Sequence, residues 1–316
     1  DSYSLFGQVD YSLTDDLVLV GGLRYTREDK AFVGNVYQNE NTNDRIIEID
    51  TSTASLEVMD EQNDQNLWSA KLQLEYSVGN SLYYAGINRG VKAGSFNAPL
   101  LGGFSFYEPE ELTSYEAGLK HSFMQGSGVF NANVFYYDYS DYQSFSWVNN
   151  AGVVTNEEAS FSGVELEVFL TPADSVDVMV NFSYTDAVVE DLEVASGYFA
   201  DTTPPFTPEF QASAMLRYNW DAFNGNMAAQ LSASYQSETF HNARNFTAHE
   251  IDSYATADTR LTWVDGQDKW SLAAYVDNLF DSDHELIGFD VTGFYGTSQI
   301  SYAKPRTYGV TVRRNF

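Results

Sequence analysis

No cysteine occurs in the 316 residues, so neither a disulfide framework nor a thiolate metal site can be drawn. No apolar run approaches the roughly 18 residues that a transmembrane helix needs, which excludes a helical membrane protein. Positive charge is scarce. Sixteen Lys and Arg stand against 45 Asp and Glu, a formal net charge of −29, and that excludes the basic face of a nucleic-acid-binding protein. Nucleophile elbow, zinc-ligand spacing and Gly-rich phosphate loop are all missing, so no enzyme is expected. The chain opens on Asp1 without an initiator Met or a signal peptide, which predicts a processed chain or a fragment.

What is abundant is aromatic. Tyr and Phe number 22 each and aromatics make up 16% of the chain, a content that opposes disorder despite the acidity. These residues alternate with polar ones. At the end of the chain Tyr308, Val310 and Val312 interleave with Gly309, Thr311 and Arg313, the period of a strand with one apolar face, and Phe316 closes in phase. The clearest alternation sets Trp68, Ala70, Leu72, Leu74, Tyr76 and Val78 against Ser69, Lys71, Gln73, Glu75 and Ser77. Similar runs start near Tyr3, Leu17, Tyr115, Phe130, Val164, Val176, Ala212, Ala229, Ala257 and Trp270; the outward parity of Leu82–Gly90 stays open. About thirteen strands of eight to twelve residues are expected, near the 9–11 that cross a bilayer. Short turns such as Thr14-Asp15-Asp16, Gly79-Asn80-Ser81 and Asn224-Gly225 alternate with long segments, among them 31–66, 92–111, 187–210 and 281–300. An extended stretch at Ile46–Ile49 is expected inside the first of these. Charge stays off one face of nearly every strand. The expectation is an all-β fold, a transmembrane antiparallel β-barrel with short periplasmic turns and long extracellular loops.

Five stretches carry a family resemblance. Asn88-Arg89-Gly90-Val91-Lys92-Ala93-Gly94-Ser95-Phe96-Asn97, Glu110–Lys120, Ser162–Glu167, Asp277-Asn278-Leu279-Phe280-Asp281 and Pro305–Phe316 resemble, in order, barrel segments of TonB-dependent receptors, the active transporters of the Gram-negative outer membrane. Arg314 departs from the pattern by falling on the outward face. Receptors of this class close 22 strands around a plugged lumen, which on about 24 residues per strand needs on the order of 530 residues. The resemblance therefore implies that residues 1–316 are a carboxy-terminal part of such a barrel, with the plug domain and first strands absent. It implies import of a scarce nutrient, most often a ferric siderophore whose Fe3+ travels as cargo, energised through TonB by the missing amino-terminal region. The implied partners are outer-membrane lipid, a small-molecule ligand, and the barrel assembly machinery through Phe316. A passive channel or porin, a vitamin or oligosaccharide importer, and a surface adhesin are the alternatives.

Candidate ligand contacts follow from the loops. Arg89 and Lys92 would attract an anionic chelate in an acidic lumen, with Phe96 and Asn97 beside them. Phe104, Tyr107 and Trp147 would stack on a ligand. His241 and His249 share one loop and suit haem or metal ligation. Asp281, Asp283 and Glu285 alternate as a hard-cation set would, for a structural Ca2+. Against each stands a plainer reading: offset of barrel-wall carboxylates for the two cations, loop packing for the aromatics, and solvated loop residues for the His and Asp sets. Glu165 and Glu167 read as a hydrated wall rather than an acid/base pair.

Overall fold

A computed structural model describes residues 1–36, 57–98, 104–148, 151–291 and 296–315. Ile46–Ile49 and Phe316 lie outside these. Thirteen long strands form one antiparallel meander: β1 (Ser2–Ser12), β2 (Leu17–Val36), β3 (Glu57–Val78), β4 (Ser81–Lys92), β5 (Glu110–Phe123), β6 (Gly128–Val148), β7 (Ala151–Ala173), β8 (Val176–Ala195), β9 (Phe210–Ala222), β10 (Gly225–Gln236), β11 (Tyr254–Asp265), β12 (Trp270–Asp277) and β13 (Thr307–Arg314). Each pairs with its neighbours in chain order, and β1 and β13 do not pair with each other, so the sheet is not closed.

Cross-strand register decides the two faces. Leu72 stands opposite Ile87, Leu74 opposite Ala85 and Tyr76 opposite Tyr83, which puts Tyr83, Ala85 and Ile87 on the apolar face and settles the parity of β4. The apolar rows run unbroken to the last strand, where Leu272 faces Val312 and Trp270 faces Arg314. Aromatics mark both ends of these rows. Tyr25, Trp68, Tyr115, Tyr136 and Tyr235 lie toward the long-loop end, and Tyr76, Tyr83, Tyr218 and Trp270 toward the turn end; all are exposed. Arg314 belongs to the turn-end row and lies over Trp270, 5.2 Å from the ring centroid. A guanidinium at an aromatic belt keeps its charge at the interface while its stem covers apolar surface.

The opposite face is polar and smoothed by cross-strand pairs of glycine with an aromatic. Tyr84 faces Gly118, Phe135 faces Gly163 and Tyr275 faces Gly309. In each pair a Cβ on the glycine would run into the ring, so the ring lies across its neighbour as in aromatic rescue of a strand glycine.

Two sequence expectations need correction. First, five strands are far longer than twelve residues: β2, β3, β6, β7 and β8 span 20, 22, 21, 23 and 20 residues. Residues 31–36, 57–66 and 187–195 are therefore strand rather than loop, and Trp147 lies on β6. Beyond the aromatic row the apolar row gives out: β2 and β3 carry charge on both faces, while Ala159, Val189, Leu192 and Val194 of β7 and β8 enter a buried cluster, so the period-2 signal fades while the hydrogen-bond ladder continues. Second, the turn expected at Asn224-Gly225 lies one residue earlier. Phe223 and Asn224 hold φ of 54° and 55°, the doubly left-handed pattern of a two-residue hairpin, and Gly225 begins β10.

Arginine placed in the middle of an apolar row should cost about 2–4 kcal/mol and near a row's end about 0–1. Leu216→Arg is therefore expected to lower the urea midpoint of the whole protein in lipid vesicles clearly, and Val176→Arg, at the turn end, barely. Equal losses would contradict the assignment of the apolar face to lipid.

Candidate functional site

The functional surface is built at the long-loop end, where four short elements fold over the strand ends. Ser95–Asn97 pairs with Ser105–Tyr107, Thr239–Phe240 with Glu250–Ile251, and Glu285–Asp290 with Ser298–Tyr302, while Tyr198–Thr202 adds to β8. Beneath them Ala159, Val189, Leu192, Val194 and Ala243 form a small buried apolar cluster, flanked by Tyr139, Tyr142 and Phe161. Here the chain packs as a soluble domain does, two layers deep.

Residues 237–253 tie this layer together. Asn242 donates to the Trp147 carbonyl at 3.0 Å and Arg244 Nε to the Val194 carbonyl at 2.6 Å. Asn245 exchanges two hydrogen bonds with the Thr203 backbone, at 2.6 and 2.9 Å. The hairpin ending at Asp290 joins through charge: Asp290 Oδ2 lies 3.6 Å from Arg244 Nη1 and 3.3 Å from His249 Nε2. Asp290 is 2% exposed, His249 1% and His241 9%. The two imidazoles are 5.0 Å apart between centroids, and His249 stacks on Phe246, which also carries the Arg244 guanidinium at 4.5 Å. Gly288 approaches the His241 ring so closely that a Cβ there would overlap it.

Burial lowers the pKa of His241, against the pull of Glu285 and Asp290. Burial likewise lowers that of His249, and the neighbouring His241 adds to the effect; Asp290 opposes it and Arg244 reinforces it. Both rings are therefore neutral at pH 7. Histidine outside a special environment titrates near 6.5.

The sequence-derived candidates divide. His241 and His249 come together, but the companions that fix them are Arg244 and Asp290, which no motif singled out. Among the described residues no group of three His, Asp or Glu is arranged to hold a metal ion. Asp281 is committed to Arg306, 3.6 Å away, and accepts its backbone N–H at 2.8 Å. Glu285 accepts from the Tyr302 hydroxyl at 3.4 Å. The Asp281, Asp283 and Glu285 set is thus not gathered around a cation. Arg89 must also be reassigned. It faces Ala70 on the apolar side, with its guanidinium 3.9 Å over the Trp68 ring and paired with Glu111. It anchors the aromatic belt rather than the lumen. Lys92 lies on the polar face opposite Glu110, at 4.0 Å, with its side chain 63% exposed, and stays available to an anion.

Phe96, Phe104 and Tyr107 pack into loop aromatics. Phe32 stacks on Phe96 at 5.3 Å and meets Phe104 edge-on at 5.5 Å, and Phe106 links Phe96 to Tyr107. Asn97 is a clasp, donating to the Val154 carbonyl at 2.8 Å and accepting from its N–H at 2.9 Å. Gln65 does the same for Gly94, with bonds of 2.8 and 3.0 Å. Trp147 meets Phe289 edge-on at 6.3 Å. Below the loops the polar face carries a recess of about 600 Å3 lined by Tyr84, Asn131, Glu165, Asn181, Gln211 and Tyr254. Glu167 accepts from Asn131 at 2.7 Å, a hydrated wall.

The sequence profile described as "TonB dependent receptor-like, beta-barrel" matches residues 1–279. The chain belongs to this family. Solved receptor barrels share its fold. The ferric yersiniabactin uptake receptor FyuA from Yersinia pestis is 19% identical with a TM-score of 0.79, matching 100% of this chain and 45% of its own. The ferric-catecholate import receptor Fiu from E. coli K12 gives 18% and 0.71, over 100% and 44%. The copper transporter OprC gives 16% and 0.73, over 98% and 47%. This chain thus spans less than half the length of these receptors.

Gln65→Leu leaves the buried Gly94 amide without its partner, while the carbonyl keeps Lys30 Nζ at 2.7 Å, a loss of about 1–3 kcal/mol for a buried polar group. Hydrogen exchange at Gly94 in the receptor barrel is expected to accelerate accordingly, with exchange in β3 and β4 unchanged. Unaltered protection would show that Gln65 does not hold the loop.

Proposed function

We propose that the chain is the carboxy-terminal part of an outer-membrane receptor that actively imports a scarce nutrient, with a ferric siderophore as the favoured class. The observation that carries this reading is the pairing of two features on one sheet. A polar, recessed wall faces the lumen, and a folded loop layer with an exposed cation, Lys92, stands over it. A ligand captured among the loops meets hydrogen-bonding groups, Tyr84, Asn131, Glu165 and Asn181, as it descends. The wall offers binding and passage and no catalytic step.

Energy enters through TonB, acting on a plug that this chain does not contain. The apolar rows and aromatic belts support a location in the outer membrane of a Gram-negative bacterium, and on this reading the terminal Phe316 would address the barrel to the assembly machinery. The iron class is favoured because FyuA and Fiu are ferric receptors by name. OprC, on the same fold, carries copper, so the fold alone does not choose the cargo.

In cells stripped of their own siderophore receptors, the whole protein should restore saturable uptake of at least one radiolabelled ferric siderophore, and a protonophore should abolish it. Lys92→Gln should raise the half-saturating concentration about two- to fivefold for an anionic chelate, the scale of an exposed charge pair worth under about 1 kcal/mol. Uptake that is linear in concentration and indifferent to the protonophore would instead establish a passive channel.

A further inference from the structure

Three of the four histidines of the chain, His241, His249 and His284, lie on the elements that fold over β10–β13. Two of them are buried in the contact between residues 239–251 and the hairpin Glu285–Asp290/Ser298–Tyr302. Nothing in the import reading uses them. They do not face the polar wall, and they are not arranged to bind a metal. What they do is sit where a charge would be hardest to accept.

We propose that this contact is an acid-released latch: protonation of His241 and His249 undocks the strand pair Glu285–Asp290/Ser298–Tyr302 from residues 239–251 and opens the loop layer.

Every group packed against the pair bears on the outcome. From residues 239–251, Arg244 already supplies one positive charge, 3.6 Å from Asp290, and each histidine faces the other at 5.0 Å. From the hairpin come Asp290 and Glu285, the only carboxylates acting on the two rings among the described residues. Asp290 is shared. Its Oδ2 already serves Arg244 and His249 together, so one carboxylate would face up to three cations after both rings protonate. Nδ1 of His249 makes no hydrogen bond within the protein, and around His241 the backbone of Ala248 and of His241 itself favours the charged ring less than burial disfavours it. Water is the remedy, and undocking admits it. The side of the latch that gives way is the hairpin, which is joined through Asp290, the Gly288–His241 contact and the edge of Phe289 against Trp147. Residues 237–253 are held instead by hydrogen bonds to β6, β8 and Thr203.

The sign follows from burial. The docked state prefers neutral rings, so docking is fully favourable above about pH 6.5, the ordinary histidine value, and weakens as pH falls below it. Each histidine lowers the docked-to-open ratio about tenfold for every pH unit between its ordinary and its depressed value.

Because this chain has no cysteine, nitroxides can be placed at Tyr198→Cys and Gln299→Cys in the purified full receptor, with any cysteine elsewhere replaced. The expected result is one short spin–spin distance at pH 7.5. A second, longer population should reach at least tenfold its initial share by pH 5.0 and reverse on return to pH 7.5. His241→Leu/His249→Gln should keep the short distance across the range. A parent distribution that does not change with pH overturns the proposal, and so does a double variant that opens with acid as the parent does. If the double variant is open already at pH 7.5, each single variant must dock there and open at a lower pH than the parent, or the proposal falls.

Discussion

Every long strand here answers one constraint: a main-chain N–H or C=O placed in hydrocarbon must find its partner on another strand, because no water is there to serve it. The unbroken ladder from β1 to β13 is that constraint made visible, and the faces follow from it. Once backbone groups are consumed sideways, each side chain has only two directions to point. One row must be apolar, and the other is free to be acidic, amidic or aromatic. The strongly negative composition is therefore carried by one face and by the loop end, while Leu72, Ile87, Leu216 and Val310 keep the other face neutral.

Above the aromatic row the rule changes and the architecture changes with it. The ladders of β2–β3 and β6–β7 continue, but the apolar row stops, and on β6–β7 one side is covered instead by the folded loops, with Ser144 and Ala159 buried beneath them. Stability there comes from a second source, the small cluster around Val189 and Leu192 and the side-chain clasps of Gln65, Asn97, Asn242 and Asn245. Gln65, Asn97 and Asn245 share a form, a carboxamide that gives to and takes from the backbone of a distant segment, whereas Asn242 gives to Trp147 and takes from Arg244 two residues on.

What was legible in the sequence divides along the same line. Strand number, meander order and the apolar faces could be read because lipid imposes period 2 on every span. The ends of β2, β3, β6, β7 and β8 could not; on β2 and β3, Arg27, Asp29, Asp60 and Asp64 put charge on the face that is apolar lower down, while Glu28, Lys30 and Glu61 keep the other face charged, and the period is erased. The parity of β4 was ambiguous for a local reason: Tyr83 and Tyr84 are equally aromatic, and the pairing of Tyr83 with Tyr76 on one side and of Tyr84 with Gly118 on the other separates them. Arg89 was misread through that same ambiguity, since its parity with Ile87 carries it to the apolar face. His241 and His249 were noticed because they share a segment. Arg244 and Asp290 were not, because 46 positions separate them and their pairing exists only after two loops have folded onto each other.

The glycine–aromatic pairs of the polar face bear on clearance. Tyr84, Phe135 and Tyr275 would project as pegs if their cross-strand partners had side chains; lying over Gly118, Gly163 and Gly309 they become tiles. A wall tiled in this way has low relief, and anything sliding along it meets shallow steps instead of hooks. Relief, as much as polarity, is then written into this face, and adding a methyl group to any of the three glycines would roughen it without changing its charges or hydrogen-bonding groups.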